Sequence, residues 1–293
     1  MKYLINAFLF FIFPLRVVFS QTAGDVSQLV SLENYLSAQT KQKGAGEAFK
    51  KAIDGNSRIL QPQGMTDASE FIKSLPPHAV FSWEPVYARI AKSGDWGFTS
   101  GPFTFQEDEN TSMKYGSYLS LWKKDKKTWK LAYTAAVFHE KPKNTEPRLV
   151  FLNPKNNKFL HQKSQSRLQQ RKDIILSSDQ LYSTILKADN TIARKEFLSD
   201  DIRLLFPGKG PLTGRKAVNN FWSKQEIKLS SKPVDADRAY SGELSMTWGE
   251  ASITSNKTGA VKDYNYIRIW EIQPEFNWDI LIELFVPVAP PSL

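Results

Sequence analysis

The chain has no cysteine among its 293 residues. Disulfides, thiolate metal sites, a cysteine nucleophile and a lipoprotein-type cysteine anchor are thereby excluded. Histidine is almost as scarce, with only His78, His139 and His161. No two of them stand at the i, i+4 spacing of a helical zinc motif, so no metal site is expected. A G-x-S-x-G elbow and a glycine-rich phosphate loop are also missing, which leaves nucleophilic and nucleotide chemistry without support and requires no cofactor.

Long apolar runs are lacking too, apart from one at the N-terminus. It extends from Tyr3 to Leu15, and Arg16 interrupts it before the ~20 residues a bilayer span needs. Lys2 precedes the run and Ser20, Gln21 and Thr22 follow it, which is the layout of a secretory signal peptide over residues 1–21. The expectation is an exported protein, periplasmic or secreted, with no membrane segment after cleavage.

Charge of one sign is in excess, at a formal +9, but it is not spread over a domain. Residues 141–172 carry nine basic side chains against one acid, Glu146. Such a tract can meet polyanions. Confined to one segment, it reads as a solvated connector, and no nucleic-acid partner is expected.

What the chain does contain is a repeat. SGDWGFTSGPFTF at 93–105 is answered by SGELSMTWGEASI at 241–253, and YLSLW at 118–122 by YIRIW at 266–270. WKLAYT (129–134) pairs with WDILIE (278–283), ILQPQG (59–64) with LLFPGKG (204–210), and ENYL (33–36) with DQLY (179–182). The same landmarks in the same order mean two copies of one unit. The organisation expected is a first domain over 22–140, a basic connector over 141–173, and a second domain over 174–293.

Each copy opens helically. Leu29, Leu32 and Leu36, then Ala48, Phe49, Ala52 and Ile53, recur at spacings of three and four, as do Ile174, Leu181 and Ile185. A short apolar strand then stops at Pro62 or Pro207, and a second helix follows in ASEFIKSL or GRKAVNNFW. The remainder reads as strands: 81–90, 96–105, 114–123 and 128–138, against 236–240, 244–254, 263–271 and 277–286. Gly94 and Gly242 mark tight turns, and Gly101 and Gly249 mark bends within strands. Helices followed by a meander give an α+β class, with N-terminal helices on one face of a curved antiparallel sheet in each domain. In the connector, RLVFLNP (148–154) is apolar enough to add a strand, and 162–173 suits a helix running into the second copy.

SGDWGFTSGPF, GSYLSLWKK with WKLAYT behind it, and PLTGRKAVNNFW together resemble the NTF2-like (SnoaL / ketosteroid-isomerase-type) fold, in particular the domains usually called DUF4440. The resemblance covers about residues 25–140 and 174–287. It implies two tandem cones, each with a pocket between helices and sheet, packed sheet to sheet as an intramolecular pseudo-dimer in a monomeric chain. The family often has an Asp five residues after the Trp of its last strand. Thr134 and Glu283 occupy those places here.

Candidate site residues follow from two-residue alternation, which sends Tyr266, Arg268 and Trp270 to one face of one strand, and Tyr118, Ser120 and Trp122 to the matching face in the first copy. Glu283, and Asp279 on what alternation makes the same face, lie on the adjacent strand. A structural ion pair, or two exposed charges on the convex face, is the plainer account of Arg268 and Glu283, and core packing that of the aromatics. The function expected is binding of a small apolar or anionic molecule without catalysis. An isomerase or dehydratase with Glu283 as general base is the alternative, and a protein-interaction module acting through the connector is a second.

Overall fold

A computed structural model describes residues 25–76, 78–108, 110–142 and 149–288. The signal peptide expected over residues 1–21 lies outside them.

In the first half, Leu29, Glu33, Leu36, Ser37 and Thr40 turn one stripe of α1 (Ser27–Phe49) inward, and the helix kinks at Gly44, whose φ is 78°. The hairpin β1 (Arg58–Gln61) and β2 (Gly64–Asp67) follows. Asp67 then caps α2 (Ala68–Ser74) by accepting from the backbone N–H groups of Ser69 and Glu70. The meander comprises β3 (Val80–Trp83), β4 (Tyr87–Ile90), β5 (Trp96–Gln106), β6 (Lys114–Asp125) and β7 (Thr128–His139). Strand order is β2-β1-β7-β6-β5-β4, with β3 also on β5. The break between β3 and β4 falls opposite Gly101, where an added Cβ would lie 1.9 Å from the Glu84 carbonyl oxygen. Only glycine permits that approach, and the sheet bends there.

The connector is largely ordered. β8 (Val150–Leu152) adds in parallel to the β4 edge, and Asn153 accepts from the Val26 N–H at 2.7 Å. Residues 143–148 are outside the described set. From Gln165 the chain is helical without interruption through α3 (Gln165–Ala188) into the second half.

That half repeats the order: α4 (Asn190–Phe197), β9 (Leu198–Leu205), β10 (Leu212–Thr213), α5 (Arg215–Ser223), β11 (Ile227–Arg238), β12 (Leu244–Ser255), β13 (Val261–Ile272) and β14 (Trp278–Pro287). Its strand order, β10-β9-β14-β13-β12-β11, follows that of the first sheet, with β11 alone standing where β3 and β4 both pair with β5 and with no counterpart of β8. The class is α+β, two sheets each carrying its own helices.

Three expectations are corrected, the first being the single strand expected over 81–90, which is split into β3 and β4. β11 begins at Ile227, nine residues before the stretch expected from 236, because Lys228, Lys232 and Pro233 hide an edge strand whose bulge at Pro233–Asp235 faces Gly249. Asp279 does not share a face with Glu283. A bulge in β14 shifts the register between Ile280 and Ile282, which reverses the alternation and turns Asp279 to the opposite side.

The faces away from the helices meet. One apolar cluster joins Trp96, Phe98, Leu119 and Leu121 of the first sheet to Met246, Ile267, Ile269 and Leu284 of the second. At its border, Arg89 donates to Glu271 at 2.5 Å and to Asp201 at 2.7 Å. The repeated Ser-Gly turns also touch: the N–H of Ser93 donates to Ser241 Oγ and the N–H of Ser241 donates to Ser93 Oγ, both at 3.1 Å. Residues 148 positions apart in sequence thus exchange identical bonds. A local two-fold axis passes between them.

Candidate functional site

Two strands and one helix define the same place in each half. In the second, β13 sends Tyr266, Arg268 and Trp270 toward α3, and cross-strand pairing sets Arg268 opposite Glu283. Arg268 is fully buried. Its Nε donates to Glu283 at 2.8 Å, its Nη1 to Asp179 of α3 at 2.5 Å, and its Nη2 to Ser231 at 3.3 Å. Tyr266 donates to the other Asp179 oxygen at 2.9 Å. The guanidinium lies over the rings of Tyr266 and Tyr182, at 3.9 and 4.6 Å from their centroids. Burial works against its charge, but Asp179, Tyr266 and Glu283 outweigh that and hold the pKa above its ordinary value. Trp270 donates to Thr247 at 2.7 Å. Each guanidinium nitrogen has a partner, so this centre is a closed ion-pair network.

The first half keeps the plan and removes the filling. By register, Ser120 stands opposite Thr134 and Tyr118 opposite Ala136, as Arg268 stands opposite Glu283 and Tyr266 opposite Phe285. Ser120, Thr134 and Ala136 therefore occupy the positions of Arg268, Glu283 and Phe285. The space released is a cavity of about 600 Å³, and all three small residues line it. Phe49, Phe71, Phe81, Phe103 and Phe105 supply much of the wall, and Pro207, Val286 and Pro287 reach in from the second half.

One carboxyl side chain lies on that wall among the described residues, Glu33 of α1. It corresponds to Asp179 in the ENYL–DQLY match and is 1% exposed. The indoles of Trp83 and Trp122 donate to it at 2.5 and 2.8 Å, and the Thr99 hydroxyl donates as well. No salt bridge to it is found among the described residues. Burial pushes its carboxyl above the ordinary value of 4.5, against the pull of those three donors. Tyr118, also on the wall, has a buried hydroxyl without a partner. Burial, reinforced by the Glu33 charge, holds that phenol well above its ordinary 10.0.

Among solved structures, similar ones include an NTF2-like protein from Cytophaga hutchinsonii, with 17% identity over 39% of this chain and 96% of that one, at a TM-score of 0.34. A ketosteroid isomerase-like protein from Erwinia carotovora atroseptica has 15% identity over 43% of this chain and 100% of that one, at 0.36. An NTF2-like superfamily protein from Salmonella enterica has 14% identity over 43% and 96%, also at 0.36. No protein-family profile and no curated protein matches the chain.

The residues expected from sequence are thus divided. Tyr118 and Ser120 line the cavity, whereas Trp122 stands behind Glu33 as a donor to it. Tyr266, Arg268, Trp270 and Glu283 sit together in the closed centre. Glu33 was missed, although the acid at the first position of both ENYL and DQLY was the signal that could have found it. Of the histidines, His139 is held by Ser117 and the Glu140 carbonyl, and His161 packs at a tilt against Phe159. Among the described residues no group of His, Asp or Glu is placed to hold a metal ion.

Proposed function

We propose that the chain is an exported, tandem NTF2-like protein that binds one small, largely apolar molecule in its first half without transforming it. The observation that carries this reading is the cavity itself, cleared by Ser120, Thr134 and Ala136 and walled by aromatic rings. Its acid, Glu33, has three donors on its two oxygens and no second carboxylate or histidine on the wall to pass a proton to. That arrangement favours holding over turnover.

The isomerase or dehydratase reading depends on Glu283, whose carboxylate is 1% exposed and bound to Arg268. A general base needs reach to a substrate proton, and this geometry does not favour it. The connector reading is also less favoured, since Lys172 is paired with Asp235 and Arg171 donates to the Tyr240 carbonyl. The second half serves as a structural partner, giving a pseudo-dimer in a monomeric chain.

Native mass spectrometry of the protein recovered from its exporting host tests the reading. The expected species is a monomer lacking about the first 21 residues and carrying a reproducible small-molecule mass. Ala136→Phe, which copies the second half, should remove that mass and also abolish binding of the neutral apolar dye Nile red. If the wild type binds neither, the cavity reading is overturned.

A further inference from the structure

The two halves present the same site in two conditions, and the filled one indicates what the empty one accepts. In the second half the helix acid, Asp179, is answered by a cation that the chain itself supplies, Arg268, sandwiched against Tyr266 and Tyr182. In the first half the helix acid, Glu33, is retained, the position of Tyr266 is still a tyrosine, Tyr118, and the cation has become Ser120. The wall carries aromatic faces in Trp83, Phe49 and Phe81 and no Lys, Arg or His among the described residues.

Resting on the cavity reading above, we infer that the ligand is an apolar amine, whose ammonium group takes the place that Arg268 fills in the second half. A buried carboxylate without a cation is costly, and a bound ammonium offsets that cost as Arg268 does for Asp179. Aromatic faces around the same space attract the cation further through their quadrupoles. A carboxylate ligand meets the opposite situation: the wall's ionisable groups, Glu33 and Tyr118, are both acids, and no Lys, Arg or His lines it among the described residues. This narrows the apolar or anionic ligand expected from sequence to a cationic one with an apolar body.

The test is a matched series on the mature protein by isothermal titration at pH 7, using 4-phenylbutylamine, 4-phenylbutan-1-ol and 4-phenylbutanoate, which share one body and differ in the head group. The amine should bind at least tenfold more tightly than the alcohol, and the carboxylate most weakly. Glu33→Gln should bring amine and alcohol affinities to within about twofold of each other. Should that variant fold poorly, Ser120→Arg with Thr134→Glu installs the second half's own cation and its partner. It should abolish amine binding and raise the melting temperature. Alcohol binding equal to or tighter than amine binding overturns the cation inference and leaves the cavity reading standing. If none of the three binds and Nile red does not bind either, both fall.

Discussion

At the scale of single residues, the two halves differ by a handful of side chains with large consequences. Asp179 and Glu33 occupy corresponding positions, but only Asp179 has a guanidinium beside it. Glu33 is left with neutral donors, and burial raises its carboxyl above 4.5. The folded protein therefore keeps a proton on Glu33 to a higher pH than the unfolded chain does. As pH rises above 4.5, the unfolded state releases the proton first, and stability falls until the folded carboxyl ionises too, by at most about 1.4 kcal/mol per pH unit. Glu33→Gln removes this term. Urea unfolding of wild type and variant at pH 4.5 and pH 8 should show the variant gaining relative to wild type as pH rises. A difference that stays constant with pH would mean that the Glu33 proton plays no part.

At the scale of elements, most of the strands were legible because aromatic and β-branched residues alternate through β5, β6, β12 and β13, and alternation is what a half-buried strand requires. β11 was only partly legible, since its lysines and Pro233 suit an edge and not a core. The parity of β14 was not legible at all. Leu281 and Ile282 are both apolar and both face the other sheet, so composition cannot reveal the bulge between them. In the candidate site, Tyr118 and Ser120 could be found by alternation, whereas Glu33 lies on a helix and only the folded chain brings it to them. The Ser-Gly turns were legible as a repeat but not as a contact. Each serine N–H donates to the other's hydroxyl oxygen, and the two hydroxyls lie 2.7 Å apart. Ser93→Ala and Ser241→Ala should each cost about 1 kcal/mol. Because the two share bonds, the double variant should lose measurably less than the sum in a denaturation cycle. Strict additivity would show that the turns do not meet in solution.

At the scale of the whole molecule, the two halves share an apolar interior in addition to the clusters each has of its own. One apolar cluster lies between the sheets, and Leu121 and Ile269, drawn from different halves, are both 1% exposed or less within it. The cavity wall also takes Pro207, Val286 and Pro287 from the second half, and Asn265 donates to the Gln61 and Pro62 carbonyls at 3.0 and 3.1 Å. Unfolding either half would expose the face on which the other depends, so the chain should melt as one cooperative unit. Leu121→Ala and Ile269→Ala, each a large-to-small change in that shared core, should each cost about 2–5 kcal/mol. In differential scanning calorimetry both should lower the same single transition, with calorimetric and van't Hoff enthalpies remaining equal. Independent halves would instead give two transitions, with Leu121→Ala lowering one and Ile269→Ala the other. A ligand in the first half's cavity would then stabilise only its own transition, whereas a shared core lets it stabilise the whole chain.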